Sequence, residues 1–347
     1  MIVFLKYFNR IRRVLLVSAL SLSVLSCGSE TIVAAGISGT GIVFGSITGF
    51  GSIFVNGVEY EIDDANFDVD GKPFSGLEGQ SNLQIGMVVK LKATTYDNGT
   101  GLATSVMYDD AVEGPVAEEP VVSGSNNNIK DFSVLGQSVR INKLTTRFNI
   151  ESDPGFGFDS ISIDDVVEVS GFVDIQTNQI IATHVEKKGS LLNGDNEVQL
   201  HGVIENLSDD KVSFRINGIL INRSEVTDND LEDIDTLAVG LYVEVKGVYQ
   251  GGVIFATNIE GEDDDRAEIP NYEGYISLEG IVSNFTSSSV FSVNGVTVFL
   301  DTGLFPVEAQ QVADGVLLEV DGEMQSGILQ VSKIEIESDG SDDHDDH

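Results

Sequence analysis

From residue 40 onward the chain alternates apolar and polar residues in short runs broken by Gly, Asn and Asp, the period-two pattern of half-buried strands. The clearest unit is a strand, a tight turn and a second strand. It reads Ile53-Phe54-Val55-Asn56-Gly57-Val58-Glu59-Tyr60, then Phe132-Ser133-Val134-Leu135-Gly136-Gln137-Ser138-Val139. It returns as Phe214-Arg215-Ile216-Asn217-Gly218-Ile219-Leu220-Ile221 and Phe291-Ser292-Val293-Asn294-Gly295-Val296-Thr297-Val298. Asn-Gly between alternating apolar residues predicts a two-residue hairpin, because a type I′ turn needs positive φ at both central positions. Leu135 stands where the other copies have Asn, which leaves the second turn type open. Successive hairpins start 79, 82 and 77 residues apart.

Three further markers recur in order. An opening strand reads Gly41-Ile42-Val43, Gly114-Pro115-Val116, Gly202-Val203-Ile204 and Gly280-Ile281-Val282. A later run reads Val88-Val89-Lys90-Leu91, Val166-Val167-Glu168-Val169, Val243-Glu244-Val245 and Leu318-Glu319-Val320, where alternation points the charged side outward. Closing strands span 102–107, 180–186, 253–260 and 328–337. Three strands, a variable insertion and two strands predict an all-β chain of four tandem small five-stranded OB-like barrels. The same spacing fits an open β-sandwich or a β-solenoid. The expected boundaries are 36–110, 111–190, 191–265 and 266–338, with an acidic His-containing tail over 339–347.

The first 26 residues break the pattern. Lys6, Arg10, Arg12 and Arg13 precede an apolar stretch from Val14 to Leu25, too short for a membrane span of about 20 residues. Val24-Leu25-Ser26-Cys27 resembles the lipobox of bacterial lipoproteins, which implies signal-peptide cleavage over 1–26 and lipidation of Cys27, the one cysteine. The expected partner is then a membrane, reached through acyl chains. Gly28 in place of Asp points to the outer membrane rather than inner-membrane retention, if the organism has one.

Net charge is −37, and −41 without the four positive charges of the leader. Such a chain repels phosphate backbones, so nucleic acid is not an expected partner. Cations and basic envelope proteins are the natural electrostatic partners, while simple solubility also explains the charge. Segment 191–265 carries −13 and 266–347 carries −14, so the half farther along the chain from Cys27 holds most of it.

The repeated Gly-x-Val, Phe-x-Val-Asn-Gly-Val-x-Val, Val-Glu-Val-x-Gly and Ala-x-x-Ile-Glu resemble the bacterial repeat called domain of unknown function 5666. The third copy matches best, through Phe214 to Ile221, Val243 to Gly247 and Ala256 to Glu260. The fourth departs at Val331 and the second at Leu135. The resemblance implies a tandem, exported, often lipid-anchored protein with no assigned activity, so no site residue follows from it.

Candidate chemistry is sparse. No cofactor is expected, and no enzyme. No Gly-x-Ser-x-Gly elbow occurs. Gly39 to Gly45 is rich in glycine but runs into strands, without a helix to receive phosphate. His184 and His201 sit in strands without a paired histidine. Asn66-Phe67-Asp68-Val69-Asp70-Gly71 is the sharpest cation candidate, with oxygens at alternate positions and Gly at the sixth, as at the start of a Ca²⁺ loop; the twelfth position is Leu77, with Glu78 one place late, and a polar turn fits better. His344 and His347 in the acidic tail could ligate a transition metal weakly. The expected function is a lipid-anchored envelope protein acting as a non-enzymatic scaffold or binding module. A divalent-cation-binding envelope protein is the alternative, ahead of an envelope hydrolase.

Overall fold

The computed structural model describes residues 39–124, 127–149, 153–227, 231, 233–234, 236–261 and 272–337. These belong to one compact unit, residues 35–347. Cys27, His344 and His347 lie outside the described residues.

The first repeat contains β1 (Gly39–Phe50), β2 (Ile53–Val55), β3 (Val58–Glu61), β4 (Asn66–Val69), β5 (Lys72–Ser75), α1 (Gly76–Gln80), β6 (Val88–Thr95) and β7 (Thr100–Tyr108). The second contains β8 (Val112–Pro115), β9 (Val121–Ser123), β10 (Ile129–Val134), β11 (Gln137–Asn142), β12 (Arg147–Phe148), β13 (Asp165–Asp174) and β14 (Gln179–Ser190). The third has β15 (Glu197–Val203), β16 (Ser213–Ile216), β17 (Ile219–Asn222), β18 (Tyr242–Gln250) and β19 (Val253–Gly261). The fourth has β20 (Gly274–Ser287), β21 (Val290–Val293), β22 (Val296–Phe299), β23 (Leu317–Gln325) and β24 (Ile328–Ile336).

Pairing defines the fold as OB-like. In the first repeat β1 pairs β2, β2 pairs β3, β3 runs parallel to β7, β7 pairs β6, and β6 returns to β1. This is a closed five-stranded ring. The fourth repeat closes the same way through β20, β21, β22, β24 and β23. In the middle repeats a single bridge joins the opening strand's continuation to the hairpin, Val116 to Val134 and Glu205 to Arg215.

All four hairpin turns have positive φ at both central residues, including Leu135 at 47° before Gly136 at 75°. The open question at the second turn is thus resolved in favour of the shared geometry. Leu135 strains the backbone there, but its side chain is buried in the core and lies over Gly114. The turn residues explain the opening glycine. A Cβ on Gly45 would meet Asn56, one on Gly114 would meet Leu135, and one on Gly280 would meet Asn294. Strand register therefore aligns Gly45, not Gly41, with Gly114, Gly202 and Gly280, since these pair with Val89, Val167, Val243 and Leu318. The Gly of Val-Glu-Val-x-Gly marks a register shift in the later strand. At Gly171, Gly247 and Gly322 a Cβ would strike the carbonyl of the facing strand; the first repeat carries Ala93 at its shift.

The repeats do not lie in chain order. Strand β1 pairs in parallel with β20, joining the first and fourth repeats into one sheet. Strands β8 and β15 pair antiparallel, joining the second and third, whose apolar interiors form one continuous core. Turn residues reinforce both unions: Asn56 Nδ2 donates to Ser277 Oγ at 2.8 Å, and Asn217 Nδ2 to Gln137 Oε1 at 3.0 Å. Val88, Phe172 and Ile281 form a small apolar contact between the first, second and fourth repeats. The order of the repeats along the chain is thus not their order in the sheets.

This packing also overturns the expectation for the recurrent charged strand. Lys90, Glu168, Glu244 and Glu319 occupy matching register positions opposite Phe44, Glu113, His201 and Glu279. All four are buried, at 3–7% exposure. Their faces point between repeats rather than to water.

Glu279 is the buried polar link from β20 to the first repeat. It accepts from the Ser46 amide at 2.7 Å and from Ser46 Oγ at 2.9 Å. Burial nevertheless pushes its pKa from 4.5 up to about 7, against the pull of those donors. Between these values the unfolded chain gives up its proton first, so stability falls as pH rises through the window, by about 3 kcal/mol at most. Glu279→Gln should therefore gain thermal stability over the wild type at pH 8 and not at pH 4.5. Parallel melting-temperature profiles for the two proteins would refute this.

Candidate functional site

The residues that read as a cation loop form a hairpin. Strand β4 pairs with β5 across Asp70-Gly71, both with positive φ. Extended backbone advances about 3.3 Å per residue, so Asn66 and Asp68 are strung along one strand face, and Asp70 lies in the turn beyond it. They do not converge as in a Ca²⁺ loop. Asn66 is exposed, and Asp68 lines a cleft. Asp70 reaches a cluster of acids from the second repeat.

That cluster is built by a short link. Strand β7 ends at Tyr108 and β8 begins at Val112. The Ala111 amide bonds Val169 O and the Asp70 amide bonds Tyr108 O, which fixes the link between two barrels. Asp109 then lines the cleft, while Asp110 is buried at 3% exposure. Strand β8 places Glu113 directly opposite Glu168 of β13. Carboxylate oxygens of Asp110, Glu113 and Glu168 lie within 4.8 Å of one another.

The surroundings offset part of this charge. Glu168 accepts from Tyr108 Oη at 2.8 Å and from Lys188 Nζ at 2.9 Å. Burial pulls the Lys188 pKa down, but the charge of Glu168 outweighs it and the ammonium ends above its ordinary range. Lys246 pairs with Glu244 at 3.0 Å and donates to the Asp70 carbonyl at 3.3 Å. Burial, then the charge of Glu168, raises Asp70 to about 6. The same two causes lift Asp110 well above the usual carboxylate range. Glu113 is raised to about 7 by burial, which Lys188 opposes. Among the buried side-chain oxygens, Asp110 Oδ1 and Asp70 Oδ1 have no hydrogen-bond partner.

A cleft of about 1030 Å³ adjoins the cluster between the first and third repeats. Asp68, Lys90, Lys92, Met107 and Asp109 face Thr236, Tyr242, Glu244, Lys246 and Glu260 across it. It presents both signs of charge on strand positions.

The two described histidines lie at contacts between strands. His184 is buried, and its Nδ1 donates to the Ile85 carbonyl at 2.9 Å, stitching the second repeat to the first. Desolvation lowers its pKa, and the hydrogen bond to Ile85 opposes this. His201 lies 3.7 Å from Glu244.

The model of the family described as "Domain of unknown function (DUF5666)" matches residues 40–107, 113–186 and 201–260. This chain belongs to the DUF5666 family. The fourth repeat lies beyond the matched residues, yet its strands pair in the order of the first DUF5666 repeat. No curated protein matches the chain. Among solved structures it is similar to Drosophila Unr CSD456, at 14% identity and a TM-score of 0.19, covering 65% of this chain and 99% of that one.

Strand alternation hid Glu113 and Glu168, and Asp110 reads as part of a surface linker. One signal could have found Glu168: a charge recurs at its position in every DUF5666 repeat here, which free solvent-facing residues have no reason to maintain. Tyr108 tests the seam. It is fully buried and gives Glu168 a neutral donor. Tyr108→Phe should cost about 1–3 kcal/mol, read as a lower melting temperature at pH 8, because a buried carboxylate oxygen loses its partner. An unchanged melting temperature would show that Lys188 alone satisfies Glu168.

Proposed function

We propose that this DUF5666 protein is a lipid-anchored, non-enzymatic envelope protein, held at the outer membrane through Cys27, whose interlocked β-modules present a rigid binding cleft. The observation that carries the reading is the cleft between the first and third repeats. Its charged residues Asp68, Lys90, Lys92, Glu244, Lys246 and Glu260 stand on strands, while the segment before β18 supplies Asp233, Ile234 and Thr236. Lys90, Lys92 and Lys246 gather there in a chain with only 19 Lys and Arg. Facing acids make the cleft suited to a polar ligand that bears both donors and acceptors, such as an envelope glycan fragment. Tyr242 offers a ring for stacking on a sugar face. The charge of −41 on the mature chain supports a partner other than nucleic acid.

Calorimetric titration with peptidoglycan fragments tests the cleft. Lys92→Met and Tyr242→Ala should each weaken binding about tenfold, and Glu119→Gln, an exposed acid of the second repeat, should not. Absence of binding at millimolar fragment, or unchanged affinity in both cleft variants, removes the glycan reading. The anchor is tested separately: Cys27→Ser should leave unlipidated protein outside the membrane fraction, and normal fractionation of that variant would refute it.

A further inference from the structure

We infer that Asp110, Glu113 and Glu168, with Asp70 beside them, form a binding site for a hard divalent cation of the Ca²⁺ class at the seam of the first two repeats. Four observations converge on it. First, the ligand set is all oxygen, which suits Ca²⁺ or Mg²⁺ rather than Zn²⁺. Oxygens about 2.4 Å from a Ca²⁺ ion sit at most about 4.8 Å apart across it. The three carboxylates already lie within that span.

Second, Asp110 is buried and turns a carboxylate oxygen into the cluster, its Oδ1 has no hydrogen-bond partner, and the buried Asp70 Oδ1 has none either. A carboxylate oxygen taken from water without a partner is costly, and a cation supplies what the protein does not. Third, the local charge is unbalanced. Glu168 pairs with Lys188, which also meets Glu186, and Lys246 is engaged with Glu244 and the Asp70 carbonyl, while burial and neighbouring carboxylates dominate at Asp70, Asp110 and Glu113. Fourth, Tyr108 and Lys188 orient Glu168 from behind, as outer partners of a metal ligand do. Each of its oxygens keeps a second lone pair for an ion. Entry is open, since Glu113 and Asp70 are only partly buried.

The three ligands come from the link, Asp110, and from the second repeat, Glu113 and Glu168, with Asp70 of the first repeat beside them. A bound ion would lock one barrel to the next. The site stands whether or not the cleft takes a ligand, so a failed glycan titration leaves it untouched.

The test uses full-length protein in detergent, stripped with EDTA and titrated with CaCl₂. The protein carries many exposed acids that attract cations diffusely, so NaCl at matched ionic strength is the reference. One saturable Ca²⁺ site is expected, with a melting-temperature rise of several degrees beyond NaCl. Asp110→Asn should weaken Ca²⁺ binding at least a hundredfold and abolish that rise. In EDTA the same variant should melt no lower than the wild type, because burial already disfavours a charge at this position and an amide of the same shape carries none. Glu119→Gln should bind as the wild type does. If Asp110→Asn is misfolded by circular dichroism, Glu113→Gln at its partly exposed position decides the matter. The inference is overturned if Ca²⁺ does no more than matched NaCl, or if the folded variants keep the saturable site. In either case the carboxylates share protons instead.

Discussion

The structure depends on burying one polar face of each barrel. In every repeat the opening strand pairs with the later strand, and the outward side of that pair meets a neighbouring repeat instead of water. Lys90, Glu168, Glu244 and Glu319 sit on it and are all buried. A buried charge is tolerated only when it is paired. Lys188 meets Glu168 at 2.9 Å, Lys246 meets Glu244 at 3.0 Å, and Lys333 meets Glu319 at 2.6 Å. These lysines remain partly exposed, so each carboxylate is covered while its partner keeps some contact with solvent. Apolar residues of equal volume would also fill the space, and such replacements are often as stable. What the polar face adds is a distinct pairing requirement at each seam.

Much of the barrel is legible in the chain. Asn-Gly flanked by alternating apolar residues demands the turn that forms, and the buried positions of that hairpin, such as Phe214, Ile216, Phe291 and Val293, are those the alternation marks. The strand order follows, because three strands, an insertion and two strands close readily as an OB-like ring. What the alternation does not carry is the environment of the outer face. Period two separates the two sides of a strand but does not say which side meets solvent once barrels pack on each other. Lys90 and Glu168 therefore read as solvated and are not. Asn66, Asp68 and Asp70 mislead for a related reason: the spacing of a cation loop is also the spacing of one strand face. Gly41 and Gly45 are distinguished only by register, since both precede a pair of residues that fit an opening strand.

The carboxylate cluster shows how much a short connection can do. Three residues join β7 to β8, and they turn the chain so sharply that consecutive aspartates face different regions. Asp109 looks into the cleft and Asp110 into the seam. The sequence offers two adjacent acids before a strand, which is ordinary for a surface linker. Only the docking of the second barrel, through the Ala111 to Val169 hydrogen bond, makes one of them an interior group. The raised pKa values of Asp70, Asp110 and Glu113 all have burial as their leading cause. They are properties of the assembled pair of repeats, not of either strand alone.

Four copies of one module pose a matching problem, because similar surfaces could pair in several arrangements. Here the unions are first with fourth and second with third, one parallel and one antiparallel. Aligned positions that differ in chemistry discriminate between them. The residue before the aligned glycine is Phe44, Glu113, His201 or Glu279. Glu279 finds the Ser46 amide and hydroxyl only against the first repeat. Asn217 of the third repeat finds Gln137 of the second, whereas Leu135 at the matching turn has no amide to offer. A wrong pairing would leave these groups buried without partners, at a cost of about 1–3 kcal/mol for each neutral group and more for each charge. Apolar residues alone, being non-directional, could not separate one arrangement from another so sharply. The hairpin and its core thus specify the barrel, and the handful of buried polar residues at the seams specify which barrels meet.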